Sequence, residues 1–399
     1  MAAERTDAPA LPVFLASLWL GCSAFGGPIA HLGIFRRSYV ERRRWIDADT
    51  FAGIVAICQL LPGPTSSQVG FLIGWHRAGW RGAMAAWLGF TLPSAMLMVA
   101  FALIAPHWHG SYAGAALHGL KLAAVAIVAQ AVWSMARTLC PDLRRALIAL
   151  LAAAGVLLWP VSGGQALVLV AGAIAGLLLC PGTAVAAVRG LTGINARTAA
   201  WALAAFLLVF VATLFTGAGD PHGLGEFAAV IYRSGASVFG GGHVVLPLLR
   251  DALVPAGWIT DEVFLNGYGA AQALPGPLFT FAGFLGAAAA PSGAAALWAS
   301  SALLAIFLPG LLLAVAGMPL WQQLTRHPRA GGALAGINAV VVGILAAALY
   351  DPVATTAIHS ATDAAVALAG IGLLQWRRVA PLLVVALCVG VMMVLVRAS

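Results

Sequence analysis

The 399-residue chain is 62% apolar and only 9% charged, with a net charge of +8, against about 25% charged residues in a soluble domain. That balance excludes an ordinary soluble enzyme and points to an all-α polytopic membrane protein, because many runs reach the ~20 residues that span a bilayer. Twenty Arg and one Lys carry the positive charge. Most lie in short loops, where basic residues set topology, so they are not read as a nucleic-acid surface.

Glu4, Arg5 and Asp7 open the chain and no small-residue cleavage site follows, so a cleaved signal peptide is not expected. Thirteen apolar stretches then follow: 12–35, 52–75, 83–105, 115–135, 144–159, 165–182, 199–217, 227–249, 264–289, 293–317, 333–350, 361–375 and 379–396. The chain repeats itself. Phe25-Gly26-Gly27 returns as Phe239-Gly240-Gly241, Trp45-Ile46 as Trp258-Ile259, Leu92-Pro93 as Leu308-Pro309, and Gly119 as Gly336. This divides the chain into a first repeat at 1–182, a linker with one transmembrane helix at 183–226, and a second repeat at 227–399.

One extra span between two six-segment copies inverts the second across the membrane. The loop charges agree. Region 36–50 holds Arg36, Arg37, Arg42, Arg43 and Arg44, whereas 249–263 sets Arg250 against Asp251, Asp261 and Glu262. Loop 137–145 has Arg137, Arg144 and Arg145, and its counterpart 351–363 has Asp351 and Asp363 with no base. Such a swap is expected of inverted-topology repeats.

Within this frame, Gln59-Leu60-Leu61-Pro62-Gly63-Pro64-Thr65 recurs as Gln272-Ala273-Leu274-Pro275-Gly276-Pro277-Leu278. Proline removes an amide donor and blocks a continuing helix, and inside a bilayer the freed backbone groups need other partners. Each copy is therefore read as a broken or re-entrant helix. Residues 52–61 and 65–75 would each rise about 15 Å, half of a ~30 Å core. Thirteen full spans are the alternative topology. A half-helix starting in mid-membrane presents free amides and a partial positive charge, which suits an anion. Pro64 is expected as first helical residue, with hydroxyls from Thr65, Ser66 and Ser67. Thr280 plays that part in the second copy. The breaks at Gly26-Gly27-Pro28 and Gly240-Gly241-Gly242 offer two more helix ends. Kinked helices packed through glycine are the competing reading.

Few ionisable groups fall inside apolar stretches. Lys121, whose repeat partner is Asn338, and Arg233 are candidates, because buried cations tend to mark a substrate path; snorkelling to the interface is the alternative. His31 and His243 flank the glycine-rich breaks. The carboxylates all fall in loops, termini or helix ends, so an obvious buried cation-binding or proton-carrying acid is missing. Cys22, Cys58, Cys140, Cys180 and Cys388 form no CxxC pair, so neither a disulfide frame nor a zinc site is indicated. No metal and no cofactor is expected. GxxxxGK[ST], HExxH and GxSxG motifs are absent from the sequence, which argues against catalysis.

Phe-Gly-Gly-Pro, Trp-Ile with Phe six residues after the Trp, and Gln-Leu-Leu-Pro-Gly-Pro, each repeated in closely related form, resemble the chromate ion transporter family in its two-domain bacterial form. The resemblance covers essentially the whole chain. It implies a multi-pass carrier of the bacterial inner membrane that exports chromate, with sulfate as a close analogue. It also implies thirteen spans in inverted halves, against the re-entrant count. His243 departs from the pattern, standing where a proline is often found. A dianion leaving a negative interior gains ~4.6 kcal/mol at 100 mV, at ~2.3 per charge, which sustains a gradient of over about a thousandfold without ATP. An anion channel of similar build remains the other functional class. Beyond the oxyanion and membrane lipid, a homodimer is compatible with the sequence.

Overall fold

The computed structural model describes residues 9–24, 27–107, 110–158, 164–180, 194–216, 222–239, 244–324, 328–376 and 379–398. Among these every regular element is helical. The first copy comprises α1 (Ala10–Ser23), α2 (Gly27–Phe35) running into a π-helical turn at Arg36–Arg42, α3 (Ala48–Leu60), α4 (Thr65–Ile104), α5 (Ser111–Leu139), α6 (Leu143–Leu158) and α7 (Gly164–Leu179). Next comes α8 (Ala196–Ala212). The second copy comprises α9 (Leu224–Ala236), α10 (Val245–Leu253), α11 (Asp261–Ala273), α12 (Phe281–Ala289), α13 (Ala295–Leu324), α14 (Pro328–Ala348), the short α15 (Thr355–Ala357), α16 (Ala361–Trp376) and α17 (Pro381–Ala398).

Helix starts follow local chemistry. Asp47, Asn195 and Thr260 cap α3, α8 and α11, each accepting the amide three residues on, which satisfies a donor with no intrahelical partner. The α4 run reverses at Ala78 and Gly79, where φ is −143° and +60°. Residues eight apart in a straight helix are about 12 Å apart, yet a Cβ on Gly74 would strike the Gly82 carbonyl. α4 is thus a hairpin of two arms, 65–77 and 80–104. The second copy repeats the turn at Gly293, φ +83°, between α12 and α13.

The breaks leave several helices short. α3 and α11 have 13 residues each and α12 has 9, so none exceeds about 20 Å, less than the ~30 Å apolar core. Long apolar runs are Ser111–Leu139, Ala295–Pro319 and Gly331–Ala357; Thr65–His107 has the length only by folding back at Gly79. Leu150, Leu151, Leu178, Trp201, Leu208 and Leu383 are exposed on α6, α7, α8 and α17. A soluble monomer rarely displays so continuous an apolar exterior, and lipid is the solvent that suits it. The protein is a membrane protein.

The two copies are not separate packing units. α1 lies on α4 and α9 on α13, the same contact made twice. The later helices instead exchange partners: α5 packs against α16 and α17, while α14 packs against α6 and α7. Glycines make the exchange possible. A Cβ on Gly119 would lie 2.6 Å from the Val389 Cα, and one on its repeat partner Gly336 would lie 2.6 Å from the Gly176 Cα, backbone approaches that only small residues permit.

Candidate anion site at the crossed helix breaks

α3 ends at Leu60, and the chain turns through Leu61-Pro62-Gly63-Pro64 before α4 begins. Gly63 has φ +121° and its copy Gly276 has φ +102°, values that L side chains rarely adopt. The freed amides are used across the repeat. Gly63 N donates to Val238 O at 2.7 Å, and Gly276 N donates to Ala24 O at 2.9 Å. Ala24 and Val238 each precede the Phe-Gly-Gly of their own copy, so each break is tied to the first helix end of the other copy. Packing is exchanged likewise. A Cβ on Gly63 would sit 2.7 Å from the Gly310 Cα, and one on Gly276 would sit 2.6 Å from Ser94 Oγ. Ser94 and Gly310 follow Pro93 and Pro309 by one residue.

The Gly63 and Gly276 amides bind the chain to itself and are not free for a ligand. One expectation is corrected here. Pro64 is the N-cap of α4 rather than its first helical residue, and Pro277 caps a 3-10 turn, Leu278–Thr280, before α12.

The two breaks differ in chemistry. After the first, Thr65, Ser66, Ser67 and Gln68 are all buried. Gln68 Nε2 donates to the carbonyls of Pro62 and Gly310, both at 2.9 Å, and so joins the turn to α13. His31 Nε2 lies 3.1 Å from Ala24 O, and Nδ1 lies 3.3 Å from Ser66 Oγ. A carbonyl only accepts, so Nε2 carries the proton, and in the neutral imidazole Nδ1 accepts from Ser66. The second break closes on itself. Thr280 N and Oγ1 both donate to Pro277 O, and aromatic rings seal it, with Phe279 on Phe307 at 5.8 Å and Phe281 on Phe264 at 5.0 Å.

Buried donors without hydrogen-bond partners lie on both arms of α4. Ser67 Oγ, Thr91 Oγ1 and Trp87 Nε1 are such atoms. The α4 hairpin sets Gly74 against Gly82 and Ala86, so Ser67 on the first arm and Thr91 on the second lie at about the same depth. Trp87 lies one turn from Thr91 on the same arm. Ser67 is 1% exposed and Thr91 5%. A buried donor left unpaired costs about 1–3 kcal/mol, so each of these atoms is a candidate partner for a ligand acceptor. The first amides of α4 add to these, since a helix start leaves them without internal acceptors. Gln272 Nε2, before the second break, is likewise unpartnered.

The remaining sequence candidates scatter. Gly27 begins α2; Gly26, Gly240, Gly241 and His243 lie outside the described residues. Gln59 is exposed on α3, whereas Pro62 and Pro275 are half-buried in their turns. Lys121 Nζ donates to Glu262 Oε1 at 3.1 Å. Glu262 opens α11, whose far end carries the second break about 20 Å away along the helix axis. Asn338 is half-buried on α14. Arg233 pairs with Glu226 at 2.9 Å and also donates to Thr213 O, tying α9 to the end of α8. Neither cation joins the break. Asp363 lies at a helix end, as expected, but one packed under α5, and it is 4% exposed. Gln68, Trp87 and Thr91 were missed, although a glutamine in so apolar a run was a readable signal.

A lipid-facing helical bundle crossed by two interlocked helix breaks, one of them polar and buried, is the architecture of a membrane transport protein. The sequence profile of the chromate transporter family matches residues 11–177 and 225–394, once in each copy, and the chain belongs to that family. Its members are transport proteins, not enzymes. The chain is 30% identical over 355 residues to the chromate transport protein of Pseudomonas aeruginosa, covering 86% of this chain and 81% of that one. It is 27% identical over 334 residues to the probable chromate transport protein of Synechococcus elongatus, covering 83% and 81%. It is also 27% identical over 347 residues to the chromate transport protein of Cupriavidus metallidurans, covering 83% and 80%. No solved structure matches the chain.

Proposed function

We propose that this chain is a secondary transporter that exports chromate across the bacterial inner membrane, takes sulfate as an analogue, and draws on the membrane potential. The observation that carries the reading is the set of unpartnered buried donors Ser67, Thr91 and Trp87 on the two arms of α4. A tetrahedral dianion brings acceptors only, and neutral donors hold it without making a buried salt bridge, whose desolvation is costly. The test is labelled chromate and sulfate flux in inside-out vesicles. Uptake that rises with an interior-positive potential and supports uphill exchange is expected. Flux that only runs down its gradient makes the protein a channel, and no chromate flux overturns the substrate.

The second copy is inverted in this reading, and the reciprocal bonds between the breaks support a two-fold relation. Single cysteines at Ala48 and Ala256, both exposed, in a cysteine-free background should label from opposite faces of the membrane. Labelling from one face would remove the inversion.

A further inference from the structure

We infer that His118, His359 and Asp363 form a site for a divalent transition-metal ion of the zinc, nickel or copper class, clipping the first copy to the second. His118 lies on α5, Asp363 in the first turn of α16, and His359 just ahead of it. One ligand atom from each falls within 4.8 Å of the others. His118 Nε2 is 2.8 Å from Asp363 Oδ1, and the two imidazoles stand 6.1 Å apart. Asp363 is held from behind: its Oδ2 accepts the amides of His359 and Ser360, both at 3.0 Å. This leaves Oδ1 directed at the histidines. Such backing bonds are what orient ligands in metal sites.

The donor set decides the ion. Two imidazoles and one carboxylate suit zinc, nickel or copper, whereas calcium and magnesium require more oxygen ligands. Bonds of about 2.0–2.1 Å in a tetrahedral site place neighbouring ligand atoms roughly 3.3 Å apart, so the His118–Asp363 contact need open by only about half an ångström. His359 is exposed and supplies the entry side. A simpler arrangement, a hydrogen-bonded pair that caps α16, uses the same His118 and Asp363 but has no need of His359. That residue therefore separates the two.

The experiment uses tag-free full-length protein in detergent, titrated with Co²⁺ while its visible absorption is followed, then competed with Zn²⁺. A one-site isotherm and a rise in melting temperature with Zn²⁺ are expected. His359→Ala leaves the His118–Asp363 bond in place and should weaken binding at least about 10- to 100-fold; His118→Ala should weaken it further. His107→Ala, on an exposed turn, should change nothing. No one-site binding up to about 1 mM metal, or equal affinity in wild type and His359→Ala, overturns the site.

Discussion

Gly63→Ala is expected to remove nearly all transport, through the fold rather than through the ligand. The new Cβ would lie 2.7 Å from the Gly310 Cα while Gly63 holds φ +121°. A strained backbone costs about 1–3 kcal/mol. The clash is with backbone, which cannot rotate away, and overpacking adds about 1–3 kcal/mol. Together these are a large share of the roughly 5–15 kcal/mol that holds a protein folded. Gly79→Ala is the control: it also has positive φ, +60°, but nothing lies within 4 Å of its Cβ, so it should cost the backbone strain of about 1–3 kcal/mol alone. Gly276→Ala should behave differently from Gly63→Ala, because its nearest obstacle is the Ser94 side chain. Ser94→Gly in the same protein should restore part of its stability, and no equivalent relief exists for Gly63. Thermal melting in detergent, with vesicle flux normalised to inserted protein, checks all four. Wild-type melting of Gly63→Ala would defeat the interlock.

Ser67→Ala and Thr91→Val should do the opposite, raising stability while weakening oxyanion affinity. Each removes a buried hydroxyl that has no partner in the protein, relieving roughly 1 kcal/mol or more of desolvation cost. Each also removes a donor to a dianion. Hydrogen bonds to charged groups are worth ~1.5–3 kcal/mol, or about 10- to 150-fold in affinity. Thr280→Val in the second copy supplies the contrast. Its hydroxyl already donates to Pro277 O at 2.9 Å, so its loss should lower stability and leave affinity unchanged. The measurement is chromate and sulfate binding to purified protein, together with melting temperature. Unaltered affinity in folded Ser67→Ala and Thr91→Val would place the anion elsewhere in the bundle.

The breaks themselves were legible in the sequence because proline and glycine act locally: Pro62-Gly63-Pro64 stops a helix whatever surrounds it. The duplication was legible for the same reason, from paired motifs. What surrounds the breaks was not. That Gly63 N would reach Val238, and Gly276 N would reach Ala24, depends on how the copies cross, which no local pattern encodes. Gln59 drew attention because it repeats as Gln272. The buried bridge is instead Gln68, whose counterpart is Phe281, so repetition pointed away from the very residues where the copies diverge. His118 and Asp363 are separated by most of the chain, and only the exchange of α16 onto α5 brings them together.

That exchange also imposes an order of events on biogenesis. A chain emerges from the ribosome N-terminal end first, so α5 enters the membrane well before the helices that cover it. Until α17 arrives, the Gly119 face that closes on Cys388 and Val389 remains open to lipid or to other newly made helices. α6 and α7 wait in the same way for α14. The seam of the N-terminal copy is therefore completed only by helices of the second copy, translated long after it. A ribosome that stops short of α17 leaves an unfinished surface in the half of the protein made first, and quality control at the membrane would meet that lesion far from the missing segment.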